Sequence, residues 1–263
     1  MKLTKFLKEA MHLLLKEPKL FIPKIAVSLL YSVVMLLLSF LLVTHKDIIF
    51  LASSGGALSY GQLQDVSVLL FSLLFLLVLS LIMLVIDILV NAMYPVLVND
   101  FYSKGKLSLK RAFLIAMKNS RRVVPTFFII VILLSVPTAI LNSYVLKAHS
   151  LTDSLIIALV TLGIYFVLLI LFYFLYPAIM LNKRSLSRCF SENFILARKN
   201  IGIVAKASLI PFIASLISFV FAFVSALEPL LILLFLVYRT LIAIMFTYHM
   251  VLSPAIYLKV RSQ

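Results

Sequence analysis

The sequence predicts an all-α polytopic membrane protein, with six transmembrane helices in three hairpins and a basic amphipathic helix on the cytoplasmic side before each hairpin. Three observations carry this reading. The chain of 263 residues is 64% hydrophobic and 13% charged, with a mean hydropathy of +1.19; soluble domains run about 45–50% apolar and about 25% charged. Several apolar stretches exceed the roughly 18 residues that mark a spanning helix. One pattern also occurs three times: a basic lead-in segment, an apolar span, an outer loop, and a second span that closes at a proline.

The lead-in segments are 4–24, 108–125 and 185–206, and the closing prolines are Pro95, Pro177 and Pro254. Spans are expected at 25–44, 66–95, 123–142, 154–178, 202–226 and 229–256. The outer connections are then 45–65, containing Ser53-Ser54-Gly55-Gly56, then 143–153, and the tight turn Leu227-Glu228-Pro229. The whole chain, 1–263, reads as a single membrane domain with repeat units 1–103, 104–183 and 184–263. A closing proline cannot donate to the carbonyl one turn back, so each is expected to end or kink its span.

Each lead-in segment carries a helical period. The apolar sets are Leu3, Phe6, Leu7, Ala10, Met11 and Leu14; Leu109, Ala112, Phe113, Ala116 and Met117; and Leu186, Cys189, Phe190, Phe194 and Ala197. Cations line the opposite faces: Lys5 and Lys8, Lys110 and Lys118, Arg188 and Lys199. Helices of this kind lie in the interface plane with the apolar face in the acyl boundary. The units align further. Lys16-Glu17, Lys118-Asn119 and Lys199-Asn200 fall at matching places, and Asn193 stands where the other units have Ala10 and Ala112. Three hairpins in one orientation imply a pseudo-threefold axis along the membrane normal.

The net charge of +15 is not a nucleic-acid footprint. Of 24 Lys and Arg, 21 lie in the segments 1–24, 99–122, 182–206 and 259–263. Such an excess marks the cytoplasmic side, so both termini are expected in the cytoplasm of a cell-membrane protein. Six Lys within the first 24 residues, and no small-residue cleavage site, argue for a retained anchor rather than a signal peptide. A basic membrane face attracts anionic headgroups at about 1 kcal/mol per nearby cation.

Chemistry-bearing residues are sparse. Arg239 lies eleven residues inside from Glu228, roughly 16 Å deep at about 1.5 Å per residue. A central arginine needs protein, water or a counter-ion. Asp87 is the intramembrane carboxylate, and superposing the hairpins offsets it from Arg239 by about seven residues, or roughly 10 Å. Asn91, Tyr94, Tyr238, Tyr248 and His249 fall at similar depths in the same two spans. Two readings stay open: a polar cavity that receives a headgroup or substrate, and a structural ion pair between Asp87 and Arg239. Lys206 is placed to snorkel to the interface.

The four histidines are not spaced as metal ligands, and Cys189 is the single cysteine, so no metal site, disulfide or cofactor is expected. No nucleotide-binding glycine motif or catalytic triad appears. The scarcity of Gln and Cys is the bias of a thermophile and equally of a membrane composition.

The run from Tyr176-Pro177-Ala178-Ile179 through Ser187-Arg188-Cys189-Phe190 to Ala197-Arg198-Lys199-Asn200 resembles the membrane domain fused to some glycerophosphodiester phosphodiesterases, and related stand-alone six-span families of archaea and bacteria. The soluble phosphodiesterase part has no counterpart in these residues. The resemblance therefore implies an integral membrane helper without that activity. The expected function is non-enzymatic, through lipid or protein-partner contacts at the basic cytoplasmic face. The alternative is a permease subunit, for example ABC-type, working with a separate ATPase. A lipid-modifying enzyme is disfavoured, because no carboxylates or histidines cluster.

Overall fold

The computed structural model describes residues 3–46, 60–145, 151–182, 184–221 and 229–261. Its elements are α1 (Leu3–Lys16), a single 3-10 turn (Pro18–Phe21), α2 (Ile22–Thr44), α3 (Tyr60–Lys104), α4 (Leu109–Lys118), α5 (Ser120–Val145), α6 (Leu151–Leu171), α7 (Leu175–Leu181), α8 (Leu186–Lys199), α9 (Ile201–Phe221) and α10 (Pro229–Arg261). The described residues form no strand. The Ser53-Ser54-Gly55-Gly56 stretch, residues 146–150 of the second outer connection and Leu227-Glu228 lie outside them.

Four helices are long and apolar enough to cross a membrane: Pro18–Thr44, Asp65–Lys104, Ile156–Leu181 and Ile232–Arg261. A fifth results if α8 and α9, bent by 104° at their junction, count together. The described residues thus meet four or five of the six expected spans; α5 and α9 stand at the positions of the third and fifth.

The buried core sits at one end of the bundle, around the closing prolines. On α3 it comprises Ile88 and most residues from there to Asp100, while Leu70, Phe71, Leu74, Phe75, Leu77 and Ile82 nearer its start are exposed. That apolar exterior is what a bilayer covers.

A closing proline is expected to end or kink its span, and ending is not the outcome at two of the three. Pro95 and Pro254 lie inside continuous helices that run on to Lys104 and Arg261. Only the second hairpin breaks, at residues 172–174, between α6 and α7. The backbone accounting there explains the break. Pro177 cannot donate to the Tyr173 carbonyl, and the Ser253 hydroxyl donates to it instead at 2.7 Å. The Leu175 amide turns to the Phe172 carbonyl at 3.0 Å, which leaves the Leu171 carbonyl and the Phe174 amide. Asn193 satisfies both: its Nδ2 donates to Leu171 O at 2.6 Å and its Oδ1 accepts from Phe174 N at 3.0 Å. The residue that departs from the Ala10/Ala112 alignment is the one the broken helix requires.

The lead-in segments are shorter than expected, because each ends at a corner. Ser108 caps α4, accepting from the Arg111 amide at 3.3 Å, the usual role of serine at a helix start. Asn119 and Asn200 close α4 and α8, each Nδ2 donating one turn back, to Ile115 O at 2.8 Å and Leu196 O at 3.0 Å. The next helix starts one residue later.

The faces of these helices also differ from the expectation. Phe6, Ala10, Leu13 and Leu14, then Ala112 and Ala116, then Cys189, Asn193 and Ala197 are buried in the protein rather than turned to acyl chains. The alanines among them, Ala10, Ala112, Ala116 and Ala197, are small enough to let the helix backbone approach the bundle closely. Met11, Met117 and Phe194, counted above with the apolar faces, are exposed instead.

One contact recurs three times. Five residues beyond Pro95, Pro177 and Pro254 come Asp100, Asn182 and Lys259. Arg111 meets Asp100 at 3.3 Å, the Asn182 amide donates to Glu192 at 3.0 Å, and Lys259 donates to Glu9. Arg111, Glu192 and Glu9 are the residues just before Ala112, Asn193 and Ala10. Each closing span is tied to the following lead-in helix, and the last is tied to the first.

Asn193→Ala removes two hydrogen bonds and strands two buried backbone groups, so it should destabilise the protein by about 2–4 kcal/mol. Glu9→Gln weakens one part-exposed pair and should cost no more than about 1 kcal/mol. Thermal unfolding in detergent checks both: a larger midpoint shift for Asn193→Ala is expected.

Candidate functional site

The candidate site residues divide among three places. Lys24, Asp87 and Asn91 form one closed set. Lys24 Nζ lies 2.6 Å from Asp87 Oδ1 and 2.9 Å from Asn91 Oδ1, and Asn91 Nδ2 donates to Asp87 Oδ2 at 3.1 Å. The geometry follows from periodicity: Asp87 and Asn91 are one turn apart on α3, facing the start of the antiparallel α2. The Lys24 ammonium also lies 5.6 Å from the Phe246 ring centroid.

The expected Asp87–Arg239 pair is therefore corrected. Lys24 occupies the carboxylate, and no ion pair joins Arg239 to any described residue. Arg239 Nε donates to Ser32 Oγ at 3.2 Å, the Ser28 hydroxyl donates to the Arg239 carbonyl at 3.1 Å, and the guanidinium lies 5.6 Å from the Tyr31 ring centroid. Sequence reasoning assigned Lys24 to the basic lead-in and missed its role. Depth was the available signal: the first residues of span one lie level with those shortly before Pro95 in an antiparallel hairpin. Asp87 and Arg239 do line one cavity of about 290 Å³, with Lys24, Ser28, Tyr31 and Asn91.

Tyr94 and Tyr248 brace the N-terminal segment instead. Tyr94 Oη donates to Leu20 O and Tyr248 Oη to Leu7 O, each at 2.9 Å. His249 belongs to a second cavity, about 210 Å³, whose wall contains all three closing prolines, together with Asn91 and Tyr173. The Tyr173 and His249 rings meet edge to face at 5.3 Å, and among the described residues neither Tyr173 Oη nor His249 Nδ1 has a hydrogen-bond partner.

The third place is the basic end. Lys5, Lys8, Lys110, Lys118, Arg188 and Lys199 are all exposed. None of the six pairs with a described carboxylate, because the carboxylates near them are held by other cations. Glu9 holds Lys259, Glu17 holds Lys19, and Asp100 holds Lys104 and Arg111. Glu192 holds Arg184 and Arg261 and accepts from Tyr257 Oη at 2.6 Å. Sequence reasoning also missed Arg122, which donates to the Asn182 carbonyl at 3.2 Å and to the Arg184 carbonyl, and reaches Cys189 Sγ at 3.5 Å. Burial pushes the Cys189 thiol up from its ordinary pKa, with Arg122 pulling the other way. Among the described residues no group of His, Cys, Asp and Glu could hold a metal ion.

A comparison with protein-family models, characterised proteins and solved structures finds no match to this chain.

Asp87→Leu leaves Lys24, a buried cation, without its counter-charge. With Asp87 itself part-exposed, the expected loss is about 2–3 kcal/mol, and Lys24→Met in the same chain should restore most of it. Denaturation of the single and double variants in detergent checks this. Cys189, buried and protonated at neutral pH, should resist maleimide in the folded protein and react fully once it is denatured.

Proposed function

We propose that this chain is a six-span membrane protein of three pseudo-equivalent hairpins with both termini in the cytoplasm. Its basic inner face engages anionic lipid headgroups and carries out no reaction of its own. Support for the threefold arrangement comes from the recurring contact five residues past each closing proline, and from the asparagine corners of α4 and α8. α5 and α9 would supply the two spans beyond the four long apolar helices.

One observation carries the lipid reading. The six exposed, unpaired cations share their helices with exposed apolar residues: Met11 and Leu15 on α1, Leu114 and Met117 on α4, Phe194 and Ile195 on α8. With one face of each helix already docked on the bundle, these residues form a second, outward rim. In an interfacial helix such a rim enters the acyl boundary while lysine and arginine stems carry their charges up to the phosphates. The neighbouring carboxylates are neutralised within the protein, so they do not compete for those charges. The resemblance to a stand-alone membrane helper fits the same role.

The alternative, a permease subunit, would use the same short helices to dock an ATPase. Native mass spectrometry of the protein from its own membrane separates the two. Anionic lipid should be retained without a protein partner. Lys110→Glu with Lys118→Glu removes two attractive charges and adds two repulsive ones, so it should weaken anionic-lipid binding by at least about 2 kcal/mol, roughly thirtyfold, with unfolding unchanged. An ATPase at fixed stoichiometry, or binding insensitive to both substitutions, would contradict the lipid reading.

A further inference from the structure

Lys24, Asp87 and Arg239 line one cavity inside the bundle, which therefore holds two cations against one carboxylate. The carboxylate is already used: Asp87 binds Lys24 at 2.6 Å and Asn91 at 3.1 Å. Arg239 is the remaining charge. Of its guanidinium donors only Nε has a described partner, the Ser32 hydroxyl at 3.2 Å. The two Nη nitrogens make no hydrogen bond among the described residues. Ser32 lies two turns along α2 from Lys24, so this charge sits well inside the apolar span Pro18–Thr44. A cation at such a depth is costly to hold in the membrane, and it persists where it meets a partner.

We propose that this cavity binds the anionic headgroup of a membrane amphiphile, a carboxylate or a phosphate, on the Arg239 guanidinium. The guanidinium fork presents parallel N–H groups that match either group in a bidentate contact. The Lys24–Asp87 pair fixes the inner end of the cavity and prevents Asp87 from neutralising Arg239. The wall around the cations is apolar: Val27, Met83, Leu84 and Ile242 suit the first carbons of an acyl chain. This site is separate from the cytoplasmic face. It differs in one measurable respect, since a low-dielectric site is screened by salt far less than a surface one.

The test uses the full chain purified in an uncharged detergent at about 1 M salt, where the Debye length is about 3 Å and the surface lysines are screened. Three probes are titrated with thermal unfolding as readout: decanoic acid, dioctanoyl phosphatidic acid and dioctanoylglycerol. At least one of the two acids should raise the unfolding midpoint saturably, and the uncharged diacylglycerol should not. Decanoic acid alone identifies a carboxylate ligand, and phosphatidic acid alone identifies a lipid phosphate. Arg239→Gln should weaken the acid at least tenfold while leaving the ligand-free midpoint no lower than that of the parent. Arg239→Lys, which keeps the charge and loses the fork, should weaken it a few-fold, and serves if the glutamine variant fails to fold. Lys110→Glu with Lys118→Glu should bind as the parent does. The proposal is overturned if neither acid binds saturably, if the diacylglycerol binds as well, or if affinity survives the loss of the arginine. Equal loss in the Lys110/Lys118 variant would assign the binding to the cytoplasmic face instead.

Discussion

A proline inside a helix leaves the carbonyl one turn back without its donor, and a bilayer core supplies no water to replace it. The buried end of this bundle is arranged around that constraint. Three spans carry a proline at corresponding places, and the three prolines line one cavity. Where the helix also breaks, side chains from two other segments complete the backbone: Ser253 from α10 and Asn193 from α8. The Ser253 bond spans 80 residues, while the Asn193 bonds tie the break to the lead-in helix that follows it. The repair of a local backbone defect therefore also docks one hairpin, and one lead-in helix, onto its neighbour.

The cations divide by the same logic of satisfied partners. One group is held by carboxylates and fixes the architecture: Lys24 on Asp87, Arg111 on Asp100, Lys259 on Glu9, Arg184 and Arg261 on Glu192. A second group, from Lys5 to Lys199, is exposed and unpaired on the short helices. Arg239 belongs to neither group, since it lies inside a span and lacks a counter-ion among the described residues. A charge excess that looks uniform in composition thus separates into structural, surface and intramembrane parts once partners are assigned.

The helical class and the long apolar helices were legible in the sequence because they rest on composition and periodicity. Helical class, the lead-in helices and their order follow from apolar spacing, and the asparagine corners follow from aligned Lys-Asn pairs. The polar cluster was legible only as a depth. Asp87, Asn91 and Arg239 do meet at one cavity, but axial arithmetic cannot say which helix faces which, so it paired Asp87 with Arg239 and overlooked Lys24. The faces of the short helices were misread for a related reason. Hydrophobicity ranks Met11 above Ala10, yet the buried stripe of α1 is Phe6, Ala10, Leu13 and Leu14, and Met11 stands outside it. Asn193 was visible as a departure from the repeat, but its purpose required knowing that the helix opposite is broken.

The claim on which this account rests is that each closing span is tied to the next lead-in helix and the last to the first. Cysteine pairs in a Cys189→Ala background test it directly, at positions 9 with 259, 100 with 111, and 182 with 192. A short bismaleimide applied to native membranes should give an intramolecular cross-link in all three, including the pair that joins the two ends of the chain. Cross-linking at 100–111 and 182–192, which are near in sequence, with none at 9–259 would contradict the closed arrangement. The chain would then be an open row of hairpins.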